Sequence, residues 1–203
     1  MGVGLRWLVG VACLGVASGC ALTHHTIDAR YQPEAGASPS GDRMRVVWEP
    51  LVWEPTLDDP SFAVGVKKNG FGAETACVFT HQKTEAWLTD AVQRELTRVG
   101  VEAVADDEGA SAPRLGVVVE QFFVEPDLNF WDIQLVAVTV LEVTVTFPAT
   151  QAVYQRRFVG EVASSEQLLV DSDYEERLLA SARAALRQVA VETRALMEQE
   201  ASR

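Results

Sequence analysis

The sequence predicts an α+β fold, a mostly antiparallel β-sheet with two long helices packed on one face. Three observations carry this. Residues 114–162 hold three β-patterned segments in succession. Two other segments repeat their apolar residues at helical spacing, Gln82–Val99 and the stretch after Ser172. The order is strand, hairpin, helix, four strands, helix, which two packed layers accommodate. The chain has 203 residues, 48% of them apolar, enough for one domain with its own core.

The domain is expected over 43–203, and its elements follow in order. Met44–Trp48 suits a strand. Val-Trp-Glu-Pro occurs at 47–50 and again at 52–55. Pro50 and Pro55 lack the N–H that a ladder needs, so they suit a sheet edge or strand ends. In one continuous strand, a spacing of five would put Trp48 and Trp53 on opposite faces, so a turn at Glu49-Pro50 is expected. The two tryptophans suit an exposed platform or caps on the core, and the second is expected because tryptophan is mostly buried. Val64–Thr80 reads as a β-hairpin with Asn69-Gly70 at its tip and Lys67 and Lys68 in the exposed turn.

The first helix buries Trp87, Leu88, Ala91, Val92, Leu96 and Val99, and Gly100 stops it. A short strand, Val101–Ala105, leads to an acidic loop, Asp106–Pro113. The loop has no ordered ligand spacing and reads as solvated. Arg114–Val124, Ile133–Phe147 and Ala152–Val162 are the three strands, with Pro148–Gln151 joining the last two. Ile133, Leu135, Leu141 and Val143 share the face expected to meet the helices. Val136, Val138 and Val140 lie on the other face, and two helices do not readily cover both. These three valines are the expected partner surface, unless 43–80 folds over them. In the final helix Ser172 and Glu175 form a capping box pattern, and Leu178, Ala182, Ala185, Leu186, Val189, Thr193 and Leu196 form its buried stripe.

The first twenty residues read MGVGLRWLVGVACLGVASGC. Arg6 and the amino terminus supply a positive start. Trp7–Val16 is an apolar run of signal-peptide length, too short to span a bilayer as a helix. Ala17-Ser18-Gly19-Cys20 resembles the lipobox of bacterial lipoproteins, although Ala17 stands where leucine is usual. The resemblance implies a signal peptide over 1–19, removed before Cys20, with Cys20 as the site of lipid attachment. Two or more acyl chains anchor a protein stably, at about 0.8 kcal/mol per buried methylene. Ala21, rather than aspartate, follows the cysteine, which implies sorting to the outer membrane with the domain in the periplasm. Residues 20–42 are expected to be the lipidated cysteine and a flexible tether, about 25 Å in root-mean-square span. His24 and His25 are expected to be solvated there. Cys77 remains as the one thiol, expected to act as a small buried hydrophobe.

Several functions are disfavoured. With a net charge of −12 the chain lacks the basic surplus that nucleic-acid binding requires, so no nucleic-acid partner is expected. Gly65 and Gly70 have phosphate-loop spacing, but Phe71-Gly72 stands where the lysine and hydroxyl should be, so no nucleotide is expected. There is no G-x-S-x-G elbow and no H-E-x-x-H. No catalytic residues, cofactor or metal ligands are assigned, and the chain is not expected to be an enzyme.

The lipobox, the segments "VGVKKNGFGAETA", "WLTDAVQRELTRVGVEAV" and "PRLGVVVEQFFVEPD", and the long strand "IQLVAVTVLEVTV" together resemble the YajG-type lipoproteins of Gram-negative bacteria. The resemblance covers nearly the whole mature chain, and it implies an outer-membrane lipoprotein without an established enzymatic activity. The doubled Val-Trp-Glu-Pro falls outside that pattern. Two functions follow as expectations: a lipoprotein that binds or assists an envelope protein complex, or self-associates; and an auxiliary lipoprotein of a lipid-transport system that handles an acyl ligand. The first needs an exposed apolar patch and the second an apolar cavity between sheet and helices.

Overall fold

The computed structural model describes residues 23–28, 30–34, 43–53, 63–104, 111–128, 133–166 and 169–203. The predicted signal peptide, Cys20 and most of the acidic loop lie outside these residues. The described strands are β1 (His25–Ile27), β2 (Met44–Trp48), β3 (Val52–Trp53), β4 (Ala63–Lys68), β5 (Glu74–Thr80), β6 (Val101–Val104), β7 (Arg114–Leu128), β8 (Ile133–Phe147) and β9 (Ala152–Glu166). The helices are α1 (Thr84–Arg98), between β5 and β6, and α2 (Asp171–Ala201), after β9. All nine strands form one sheet.

The sheet is mixed and largely antiparallel, with a parallel component that the sequence reading did not include. Its longest ladders, β7–β8 and β8–β9, are antiparallel, as is the β4–β5 hairpin. The pairings β1–β5, β2–β6, β2–β7, β3–β7 and β4–β7 are all parallel. The cause is the length of β7. One edge pairs with β8 throughout, and the other is long enough to receive β2, β3 and β4 one after another. Helix α2 lies on β7, β8 and β9, whereas α1 packs mainly against α2 and β6. Both helices bury their apolar stripes in one core, and Trp87 of α1 stacks on Phe122 of β7 at 5.2 Å between centroids.

The repeat resolves differently from expectation. β2 and β3 run in the same direction along β7, with Trp48 opposite Leu115 and Trp53 opposite Val119. Five residues on this edge therefore match four on β7. The extra residue acts as a bulge would and brings both tryptophans to the core face, where each packs on the core. No turn at Glu49-Pro50 is needed.

The helix boundaries follow local chemistry. Gly100, at φ 82, stops α1, and Arg194 of α2 donates to the Val99 carbonyl at the end of α1. Helix α2 begins one residue before the expected cap. The Val170 N–H donates to the Asp173 carboxylate at 2.8 Å, so Asp173 does the capping assigned to Glu175. The strand ladders β7 and β9 also run further than expected, to Leu128 and Glu166.

Most altered is the start of the domain. Part of the predicted tether is folded: β1 pairs with β5, and Ile27 and Tyr31 are in the core. The Tyr31 hydroxyl donates to Glu95 at 2.8 Å. His24 and His25 are not merely solvated. The Cys77 N–H donates to His24 Nδ1, and His25 Nδ1 lies 3.1 Å from Asp171. Composition hid this because a three-residue strand needs no periodic pattern when an existing edge supplies the pairing.

Candidate functional site

The face of β7–β9 opposite α2 is the candidate site. Residues flanking Phe158 and Tyr154, which pack on the core, must point away from it. Val153 and Val159 accordingly are 62% and 42% exposed. On β8 this face carries Val136, Val138 and Val140, the residues named from the sequence. In register, Val136 lies between Glu125 and Ala163, Val138 between Phe123 and Glu161, and Val140 between Gln121 and Val159. Side chains in register share a face. The face is thus an apolar strip, Val136, Val138, Phe123 and Ala163, edged by carboxylates.

Val136 and Val138 are half-buried, but Val140 is only 3% exposed. Glu120 on β7 accepts a 2.6 Å hydrogen bond from Arg157 on β9. That pair bridges β7 and β9 across β8, between the levels of Val140 and Glu142. The expected three-valine surface is therefore two valines, extended by Phe123, which alternation alone did not single out. A bulge between Val119 and Gln121 puts Glu120 beside Gln121 and makes the bridge possible.

The predicted turn lysines are elsewhere. Lys67 is 3% exposed and donates to Asp171 at 2.6 Å, near the Tyr174 ring. Lys68 donates to Glu125 at 2.6 Å. Burial, then the carboxylates of Asp171 and Asp173, pushes the Tyr174 phenol up to about 12. The lysines tie the hairpin to the start of α2 and to β7, contacts between residues 104 and 57 apart that no local pattern announces.

A second polar cluster joins the amino-terminal segment to α1. Glu95 is 2% exposed and accepts from Tyr31 and from Arg98 at 2.5 Å. Burial, then that hydrogen bond, holds the Tyr31 phenol well above the ordinary tyrosine range. Each group is used in holding elements together. Among the described residues, no cluster of three His, Cys, Asp or Glu is arranged to hold a metal ion.

Two clefts accompany the face. One, of about 330 Å³, is lined by residues including Asp28, Arg30, His81, Trp87, Asp90 and Arg94. The other, of about 270 Å³, is mostly apolar and lies where Met44, Pro113, Phe147 and Met197 meet at the far end of α2. Between α2 and β9 the packing is tight: a Cβ on Gly160 would stand 2.0 Å from the Ser181 carbonyl oxygen. Among the described residues no helix is long and apolar enough to cross a membrane.

Two solved structures share this fold. Protein XCC0632 from Xanthomonas campestris, a DUF330 protein, superimposes with a TM-score of 0.61 at 17% identity, over 89% of this chain and 99% of that one. An uncharacterized protein superimposes with a TM-score of 0.55 at 12% identity, over 84% and 99%. Rare lipoprotein B from Shewanella oneidensis gives a TM-score of 0.39 at 13% identity, over 57% and 90%. No family model matches the chain, and no curated protein matches it. At these identities the first two likenesses establish the fold alone.

Proposed function

We propose that this chain is a non-catalytic lipoprotein of the YajG type, anchored to the outer membrane through Cys20, whose periplasmic domain binds or assists an envelope protein complex. The observation that carries the docking role is the strip of Val136, Val138 and Phe123 on the sheet face opposite α2. Apolar strips edged by charge are common contact sites. The anchor rests on the apolar run ending in Ala17-Ser18-Gly19-Cys20. Cells fed a labelled fatty acid should label the wild-type chain and not Cys20→Ala; equal label would refute the anchor. For the docking role, Val138→Lys is the informative change, because Glu161 lies opposite and accepts the new charge. Crosslinking in intact cells should lose the partner band while the thermal midpoint stays near wild type. An unchanged band would refute the role.

A second reading, an auxiliary lipoprotein of an envelope lipid-transport system, is favoured by the apolar cleft at Met44, Pro113, Phe147 and Met197. Its volume is close to the lower end of ligand pockets, and the tight seat of α2 on Gly160 leaves the cleft, rather than the interior at that level, as the place for an acyl chain. Native mass spectrometry of the chain purified from membranes should then show bound lipid, and Ala201→Trp in the cleft wall should expel it. Lipid-free protein would refute this reading.

A further inference from the structure

From the structure we infer that the tip of the β4–β5 hairpin is a membrane-contact element, with Phe71 as an interfacial anchor that seats this end of the domain on the bilayer. The inference rests on the lipid-anchor reading above. Phe71 is 97% exposed, the most exposed of the large hydrophobic residues described. The loop that presents it is built. Asn69 Oδ1 accepts from the Phe71 N–H at 3.0 Å and from the Ala73 N–H at 3.1 Å, and Gly72 takes φ 81. An aromatic ring held in water by a structured loop has a small entropic cost of ordering left to meet on contact.

The direction of β1 decides what the ring meets. β1 is parallel to β5, with His25 opposite Val78 and Ile27 opposite Thr80. Moving back from His25 towards the amino terminus is therefore moving along β5 towards the tip, and the Cys77 N–H bond to His24 continues that path. Five residue steps lead from Cys20 to His25, a reach of at most about 17 Å. The four steps from Val78 to Glu74 cover about 13 Å. A lipid on Cys20 therefore has the reach to enter a bilayer at the level of the tip.

Charge agrees. The chain carries −12 overall, yet Asn69–Ala73 has no ionisable side chain, and the lysines behind it are paired with Asp171 and Glu125. An uncharged tip can approach anionic lipid that an acidic surface avoids. Aromatic residues favour that interface. The β8–β9 turn and the end of α2 lie at the opposite end of the domain.

The test uses the full lipidated chain in vesicles of phosphatidylethanolamine and phosphatidylglycerol. An environment-sensitive dye is placed on Phe71→Cys, or on Thr150→Cys in the opposite turn, in a Cys77→Ala background. Blue-shifted emission at 71, quenched by brominated lipids, with neither effect at 150, is the expected result. Water-like emission at 71 in vesicle-bound protein would overturn the inference. So would a blue shift that brominated lipids leave unquenched, which would signal a protein contact. The Cys77→Ala chain alone reports the anchor separately. Dye uptake at Cys20 would mean a free sulfur, and the anchor reading would fail and take the tip with it.

Discussion

Gly160→Ala should destabilise the domain more than any other single methyl addition to a described glycine. The new Cβ would lie 2.0 Å from the Ser181 carbonyl oxygen and 2.8 Å from the Ala185 nitrogen, both backbone atoms of α2. A carbon–oxygen contact needs about 3.3 Å, so helix and strand must part by more than about 1 Å. Overpacking of this kind costs about 1–3 kcal/mol. The same movement stretches the 2.9 Å hydrogen bond between Thr139 and Ser181, both buried, worth about 1 kcal/mol more. A total near 3 kcal/mol corresponds to a fall of about 6–12 °C in thermal midpoint for a domain of this size. Circular dichroism on heating measures it. Gly70→Ala is the control, since nothing lies within 4 Å of its Cβ and its φ is not positive; it should change little. A midpoint for Gly160→Ala within about 2 °C of wild type, less than about 1 kcal/mol, would refute the reasoning that α2 is seated on the β9 backbone.

Three further outcomes follow. Asp171→Ala should cost about 3 kcal/mol, because it takes the carboxylate from a buried ammonium, and should exceed Lys67→Met, which leaves a half-exposed carboxylate; denaturant titration of both compares them, and the reverse order would refute the account. Stability should fall between pH 10 and 12. Tyr174 keeps its proton to about 12 when folded and loses it near 10 when unfolded, so its contribution is present below pH 10 and drains as pH rises, by about 1.4 kcal/mol per unit. Tyr31, raised in the same direction, adds to the fall. Tyr174→Phe should lose about 1.4 kcal/mol less than wild type between pH 8 and 11, and equal losses would remove the tyrosine from the explanation. ATP with magnesium should give no heat on titration into the chain, since Lys67 and Lys68 are held by Asp171 and Glu125; micromolar binding abolished by Lys67→Ala would overturn that expectation.

The sequence by itself determined the elements whose signal is local and repeated. The stripe from Trp87 to Leu96 and the stripe from Leu178 to Leu196 are buried as their spacing requires. Ile133–Phe147 was legible to the residue, because β-branched residues at period two need no partner to be recognised. The alternation also identified which β8 residues face away from α2. The tertiary structure alone decided what depends on distant partners. Parallel pairing of β2, β3 and β4 along one edge of β7 made the sheet mixed, and one extra residue between Trp48 and Trp53 turned both rings inward. Val140 is buried on a face where Val136 and Val138 are half-exposed, and a bulge in β7 lets Glu120 reach Arg157 nearby, neither of which alternation shows. Lys67 is buried because Asp171, 104 residues away, meets it there. β1 exists because β5 offers an edge, and only its parallel direction aligns the amino-terminal path with the Phe71 tip. Periodicity records what a residue needs from its neighbours along the chain. A charge pair, a bulge or a borrowed strand edge is set by neighbours in space, and leaves no period to read.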